Sequence, residues 1–239
     1  VYLLIPAAGS GKRMGSEWQR QGKAQRNKLL LDLIGKPVLA WTLLAAEASS
    51  TIEWIGIMGQ PIDFDDFNQI LADLNLRKPV TLIQGGSTRQ ESVYNGLQAL
   101  PTEAQHVLIH DGARCLATPE LFDRCSASLK QYDGLVAAVA VKDTIKVVDE
   151  TMSIQDTPDR ANLWAAQTPQ GFSVPLLKQS HDEGKAKGWE VTDDAALFER
   201  CGLPVYIVPG EETNLKVTTP VDLAIAQFIL QGRTQQSES

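Results

Sequence analysis

The chain opens VYLLIPAAGSGKRMG, an apolar run that breaks into small residues and two adjacent cations, Lys12 and Arg13; Lys28 follows in RNKLLL. Pro6, Ala7, Ala8, Gly9 and Gly11 make a turn with exposed backbone N–H groups. Amide donors beside several fixed cations suit a polyphosphate. Two familiar phosphate loops do not fit. A dinucleotide fingerprint needs a third Gly where Met14 stands, and a P-loop needs Gly at Pro6 and Ser or Thr at Arg13. The competing reading is an ordinary glycine turn with solvated charges.

Other segments carry chemistry-bearing residues at strand ends. In GGSTRQES, the pair Gly85 and Gly86 would let a flat base lie against backbone, with Ser92 one turn into a helix. Alternatively, Ser87 or Thr88 simply caps that helix. HDGARC sets Asp111 and Arg114 beyond an apolar run. The carboxylate could hold hydroxyls or help order hydrated Mg²⁺, and the guanidinium could pair with phosphate; equally, the two could satisfy each other. TPDRANLWAAQTPQGF supplies Arg160 and Thr168, with Trp164 and Phe172 read as core, and VTDDAALF supplies Thr192, Asp193 and Asp194, which fit a helix cap. NLKVTTP places Lys216 at the end of an expected short strand.

No Ser/His/acid or Cys/His arrangement accompanies these residues. His106, His110 and His181 lack metal-ligand spacing, and Cys115, Cys125 and Cys201 form neither a C-x-x-C nor an even set. What recurs is positive charge. That favours phosphoryl or nucleotidyl transfer, which proceeds by positioning and charge neutralisation.

The elements that must position these groups alternate. Apolar runs VYLLIP, TIEWIGIM, PVTLIQ, HVLIH, GLVAAVAV and LPVYIVP are separated by amphipathic helical stretches. This predicts an α/β fold, Rossmann-like, with a mainly parallel sheet covered by helices on both faces. PAAGSG, GGSTR and HDGARC then meet along one rim, outside the carboxyl ends of the strands. Residues 142–163 break the rhythm with two short β-rich pieces and predict a protruding hairpin. The whole of 1–239 reads as one domain carrying that arm.

Composition narrows the class. The 239 residues are 43% hydrophobic and 21% charged with a net charge of −7, which argues against nucleic acid or a membrane surface as partner. No apolar stretch approaches a membrane span. A reduced, cytoplasmic setting is the default. Val1 begins directly in a strand pattern, so an initiator Met or targeting segment is expected to precede it, and a plastid stroma fits if a transit segment was removed.

PAAGSGKRMG, RNKLLL, GGSTRQESV, HDGARC, KDTIK, DRANLWAAQTPQGF, VTDDAALF and NLKVTTPVDL, in this order and spacing, resemble the 2-C-methyl-D-erythritol 4-phosphate cytidylyltransferase family. The resemblance spans nearly the whole chain. It implies a nucleotide-diphospho-sugar transferase-like fold and transfer of CMP from CTP to methylerythritol phosphate, with Mg²⁺ held mainly by the CTP phosphates and no protein metal ligands. It implies Arg13 and Lys28 as transition-state cations and Arg160 and Lys216 as holders of the acceptor phosphate. Asp111, Arg114 and Thr144 match positions around the acceptor, and Thr168 and Thr192 fall in motifs that position it. Pro6, Ala7, Ala8, Gly9, Gly11, Lys12, Gly85, Gly86 and Ser92 match the CTP site. The hairpin matches a homodimerisation arm, through which Thr144 and Arg160 reach the neighbour's site.

Two departures stand out. The stretch from Met14 to Lys28 is long and holds other cations that could replace Lys28, and Cys115 stands where the family commonly has Pro, which should loosen that turn slightly. A cytidylyltransferase for ribitol 5-phosphate or a related polyol phosphate is the nearest alternative, although that group is associated with an Ala-Gly-Gly opening. A nicotinamide oxidoreductase is disfavoured by Met14. A non-catalytic nucleotide sensor has no need of the second phosphate site.

Overall fold

The computed structural model describes residues 1–9, 14, 17 and 27–237, with side chains to 233. Strand β1 (Tyr2–Pro6) is followed by a 3-10 turn at Lys28–Leu30 and a small ladder of β2 (Asp32–Leu33) with β3 (Lys36–Pro37). Helix α1 (Val38–Ala48), β4 (Trp54–Gly59), α2 (Phe64–Leu74), β5 (Val80–Gln84), α3 (Arg89–Gln98), β6 (His106–Ile109), α4 (Pro119–Ser128) and β7 (Gly134–Ala140) continue the alternation. The hairpin β8 (Val147–Val148) and β9 (Ile154–Asp156) precedes β10 (Trp164–Ser173). Then come α5 (Val174–Lys187), α6 (Asp194–Arg200), β11 (Tyr206–Pro209) and α7 (Pro220–Ser237).

Seven strands form one sheet in the order β11-β7-β10-β6-β1-β4-β5. The chain runs outward from β1 through β4 to β5, then returns to β6 on the other side of β1. That reversal opens a crevice at the carboxyl ends of β1 and β6, where α/β sheets bind ligands. Side-chain alternation divides the core between two faces. Leu3, Ile5, Ile55 and Ile57 pack with α1, α2, α4 and α7, whereas Leu4, Met58, Val107 and Ile109 pack with α3, α5 and α6.

The structure amends three expectations. Strand β10, not expected as a strand, inserts antiparallel between β6 and β7. It passed for irregular chain because Pro169 and Gly171 interrupt it; Pro169 sits where the pairing with β7 shifts register between Ala166 and Gln170, so its missing N–H costs no regular ladder bond. Phe172 is core as expected, but Trp164 is 46% exposed. Lys216 follows no strand, because residues 210–218 are irregular and are held by side-chain bonds instead. The arm does fold as a hairpin, pairing Val147 with Asp156 and Val148 with Ile154.

Candidate active site at the crevice between β1 and β6

A cleft of about 390 Å³ opens at this crevice. Its walls include Pro6, Ala7, Ala8 and Gly9 after β1, Gly86 to Arg89 and Ser92 after β5, and Asp111 to Ala113 after β6. Asn27, Lys28 and Leu29 form one side; Lys216 and Thr218 close the other. The three strand-end loops thus share a rim, as their placement in the sequence implied.

Each wall is held by its own bonds. The Ala7 N–H donates to the Met58 carbonyl at 2.7 Å, and buried Asn27 donates through Nδ2 to the Ala7 carbonyl at 2.5 Å and to Asp63 Oδ2 at 2.9 Å. In the second loop, Gly85 N–H donates to the Gly59 carbonyl at 2.8 Å. Ser92 is buried, its hydroxyl accepting from Gly86 N–H at 3.0 Å and donating to the Thr88 carbonyl at 2.8 Å. Thr88 caps α3 by accepting from Glu91 N–H at 3.0 Å. The capping reading therefore holds, and Ser92 acts in shaping the loop that faces the cleft.

Positive charge gathers around one carboxylate. The Lys216 ammonium lies 2.8 Å from Asp111 Oδ2; Arg89 Nε lies 3.6 Å from Oδ1 and Arg114 Nε 3.7 Å from Oδ2. Burial alone would raise the Asp111 carboxyl, but Lys216 and Arg89 outweigh it and bring it down to about 2. Asp111 therefore stays ionised at neutral pH. Arg89 also pairs with buried Asp194 at 2.6 Å, and Asp194 accepts from or pairs with His181 Nε2 at 3.3 Å. Burial disfavours the Arg89 charge, yet Asp194 and Asp111 hold its affinity for the proton above the ordinary value. Lys28 donates from Nζ to the Val217 carbonyl at 2.7 Å, and Val217 N–H donates to the Ala113 carbonyl at 2.8 Å. Lys28, Lys216 and Asp111 are thereby tied together from three distant segments.

The remaining expected residues fall in several places. Gly85 lies just under the cleft wall, where an added Cβ would come 2.7 Å from the Ala8 Cβ. Arg114 and Thr168 stand directly behind Asp111; Arg114 donates to the Asn214 carbonyl at 2.7 Å, and Thr168 Oγ1 accepts from Asp111 N–H at 3.0 Å. Thr192 is exposed just before α6, which Asp193 caps by accepting from Ala196 N–H. Thr144 and Arg160 are exposed on the arm and do not line the cleft of their own chain; Arg160 donates to the Lys142 carbonyl at 2.9 Å. Gly11, Lys12 and Arg13 lie outside the described residues, as do the other cations between Met14 and Lys28, which are Arg20, Lys23 and Arg26.

Sequence reading passed over Arg89, Asn27 and Asn214. Arg89 was detectable, because a cation in the first turn of a helix opposes the helix dipole and so signals an acidic partner elsewhere. Asn27 gave a local signal as the cap of the 3-10 turn, its Oδ1 accepting from Leu29 N–H at 3.1 Å, but nothing local points to its bonds with Ala7 and Asp63. Asn214 gave none, since its side-chain partners are distant in the chain.

Among the described residues no group of three His, Cys, Asp or Glu could hold a metal ion. Asp111 is the one carboxylate of a described residue that lines the cleft, and it is already engaged by cations. Such a site suits a highly anionic ligand that brings its own counter-ion.

The chain matches the family model described as 2-C-methyl-D-erythritol 4-phosphate cytidylyltransferase over residues 1–232. It is 70% identical over 233 residues to the protein of that description from Nostoc punctiforme, covering 98% of this chain and 99% of the relative. The counterpart from Crocosphaera subtropica is 69% identical with the same coverage. Among solved structures, 4-diphosphocytidyl-2C-methyl-D-erythritol synthase from Anaerococcus prevotii superposes with a TM-score of 0.83 at 31% identity, over 96% of this chain and 97% of that one. The Thermus thermophilus 2-C-methyl-D-erythritol 4-phosphate cytidylyltransferase gives 0.75 at 30% identity, over 97% and 98%.

Proposed function

The chain belongs to the 2-C-methyl-D-erythritol 4-phosphate cytidylyltransferase family, and from that premise we propose how its cleft performs the reaction. The enzyme transfers CMP from CTP to 2-C-methyl-D-erythritol 4-phosphate in isoprenoid-precursor biosynthesis. A phosphate oxygen of the acceptor forms a bond to the α-phosphorus as the bond to the β-phosphate bridging oxygen breaks. Its electron pair leaves with pyrophosphate, and 4-diphosphocytidyl-2-C-methyl-D-erythritol remains.

The observation that carries the assignment of roles is the meeting of Lys28, Lys216 and Asp111 in one cleft. CTP lies along Pro6 to Gly9 with its base toward Gly86, and Gly11 and Lys12 are assigned to the same nucleotide by their motif. Lys28, with Arg13, offsets charge that builds on the reacting phosphate and the leaving group. Lys216 holds the acceptor phosphate, and the ionised Asp111 accepts from acceptor hydroxyls. Thr192 contributes to the acceptor side from the turn before α6. Magnesium brought by the nucleotide would supply neutralisation of the triphosphate oxygens, beside the charge that Lys28 contributes.

The arm supplies the rest. Ile145, Val147, Val148, Met152 and Ile154 leave it with apolar side chains 40–77% exposed. A second copy that covers them forms a homodimer and carries Thr144 and Arg160 toward the neighbouring cleft. Residues 1–239 act as one nucleotidyltransferase unit with 142–163 as its dimerisation arm.

Pyrophosphate release with Mg²⁺ tests the reaction, crossing methylerythritol phosphate and ribitol 5-phosphate against CTP, UTP and ATP. Release confined to methylerythritol phosphate with CTP is the expected result. Faster release with ribitol 5-phosphate would overturn the acceptor assignment.

A further inference from the structure

His110 directly follows β6, has no exposed surface and bonds through both ring nitrogens. Nε2 lies 3.2 Å from the Arg114 carbonyl oxygen, and Nδ1 lies 3.0 Å from Thr168 Oγ1. A carbonyl only accepts, so Nε2 carries the proton of the neutral ring and Nδ1 is left as an acceptor. Burial presses the imidazole down to about 4, which keeps it neutral at physiological pH. The single proton of the Thr168 hydroxyl is therefore directed into Nδ1. The same oxygen accepts the Asp111 N–H at 3.0 Å, and Thr168 is itself buried. With its proton engaged, Thr168 has none to give to a phosphate or a hydroxyl of the acceptor.

These bonds fix both ends of one turn. Residues 111–114 close on themselves by Arg114 N–H donating to the Asp111 carbonyl at 2.9 Å. Thr168 anchors the first residue through its amide, and His110 anchors the last through its carbonyl. Asn214 donates from Nδ2 to the Thr168 carbonyl at 2.8 Å, which joins this frame to the segment bearing Lys216. The ring also packs edge-on to Phe122, with centroids 4.9 Å apart.

We propose that His110 and Thr168 are positioning residues: the imidazole takes the Thr168 hydroxyl as donor, the hydroxyl oxygen holds the Asp111 amide, and together they aim Asp111 and Arg114 without touching substrate. The inference rests on the reading of Asp111 and Arg114 as the acceptor side of the cleft.

The test uses the full chain with ¹⁵N-labelled histidine. At pH 7.5, well above the folded imidazole's midpoint of about 4, NMR is expected to show His110 protonated at Nε2 and bare at Nδ1. A proton on Nδ1 would overturn the proposal, because the Thr168 hydroxyl would then be free to donate into the cleft. Kinetics supply the second readout. Thr168→Val and His110→Phe are each expected to lower kcat/KM for the acceptor about 10-fold and to leave KM for CTP within about twofold. The double variant should fall no more than about twofold below the worse single one, with Thr168→Ser restoring activity. Loss in Thr168→Val beside full activity in a folded His110→Phe, or additive losses in the double variant, would place Thr168 on the substrate and end the proposal. If His110→Phe does not fold, the wild-type tautomer and the Ser–Val comparison decide. Full activity in Asp111→Asn would instead refute the acceptor-site reading while leaving the tautomer assignment standing.

Discussion

The Lys216 ammonium stands 2.8 Å from Asp111 Oδ2, joining the irregular segment before α7 to the turn after β6. In the proposed site this pair sets a cation for the acceptor phosphate beside a carboxylate for its hydroxyls. Lys216→Met keeps most of the side-chain stem and removes the charge. We expect kcat/KM for methylerythritol phosphate to fall by about 10²–10³, with KM for CTP changed only a few-fold. Initial rates with CTP saturating measure this, and an equal rise in KM for CTP would show that Lys216 serves the nucleotide instead.

Acid should weaken the fold in two ranges. Burial lowers the folded His110 imidazole from 6.5 to about 4, so between those values the unfolded chain binds more protons and stability falls with falling pH. The loss is on the order of 3 kcal/mol across the range. Asp111 is held at about 2 against an ordinary 3.8: burial opposes ionisation, and Lys216 and Arg89 more than compensate. Its contribution is present above 3.8 and disappears as pH falls toward 2. Urea midpoints recorded from pH 7 to pH 3 check this. A flat profile between pH 6 and 4.5, within the window set by His110, would contradict its neutral burial.

Much of this site was legible because parallel strands deliver their loops to one edge. Pro6 to Gly9, Gly86 to Ser92 and Asp111 each follow a short apolar run, and that local order alone predicts convergence. Strand β10 was illegible for a local reason: Pro169 and Gly171 are marks against a central strand, and only the register shift opposite β7 accommodates them. Arg89, Asn27 and Asn214 work through partners supplied by other elements. Arg89 left a mark in the charge pattern by opposing the dipole of α3, but neither that mark nor periodicity names the partners. The irregular segment around Lys216 is similar. Its conformation is set by Gln167, Thr168 and Ala113 rather than by its own propensity.

Lys28 bonds the Val217 carbonyl at 2.7 Å while lining the cleft, so its ammonium is oriented before substrate arrives. A pre-oriented charge is most effective against charge that develops during reaction. Lys28→Ala, and likewise Arg13→Ala, should lower kcat by about 10²–10³. Single-turnover rates at saturating CTP and acceptor provide the measurement. Near-normal turnover in Lys28→Ala would transfer the role to another cation of the preceding stretch.

Gly85 has no room for a side chain. A Cβ there would meet the Ala8 Cβ at 2.7 Å, Ser92 Oγ at 3.2 Å and the Gly59 carbonyl oxygen at 3.3 Å. Ala8 belongs to the loop after β1, so Gly85→Ala must push the first two cleft walls apart. We expect KM for CTP to rise about tenfold and stability to drop by about 1–3 kcal/mol, the range for overpacking a close contact. CTP titration alongside urea unfolding separates the two effects. Unchanged values in both would mean that the loops give way freely.

Removing the arm examines the shared site directly. Its exposed Ile145, Val147, Val148, Met152 and Ile154 have no packing partner among the described residues of their own hairpin that hides them from solvent, and Arg160 lies outside the cleft of its own chain. If a second copy covers those side chains, replacing residues 143–162 by a short Gly-Ser linker should yield a monomer that still folds, because the seven-stranded sheet forms without β8 and β9. Activity should nevertheless be lost, since each cleft would lack the Arg160 and Thr144 delivered by its neighbour. Mixing Arg160→Ala chains with Lys28→Ala chains sharpens the point: heterodimers would contain one cleft with both residues intact and should recover a fraction of wild-type rate. Sizing chromatography and pyrophosphate release measure the two outcomes. An arm-deleted monomer with full turnover, or no recovery on mixing, would mean that each chain works alone.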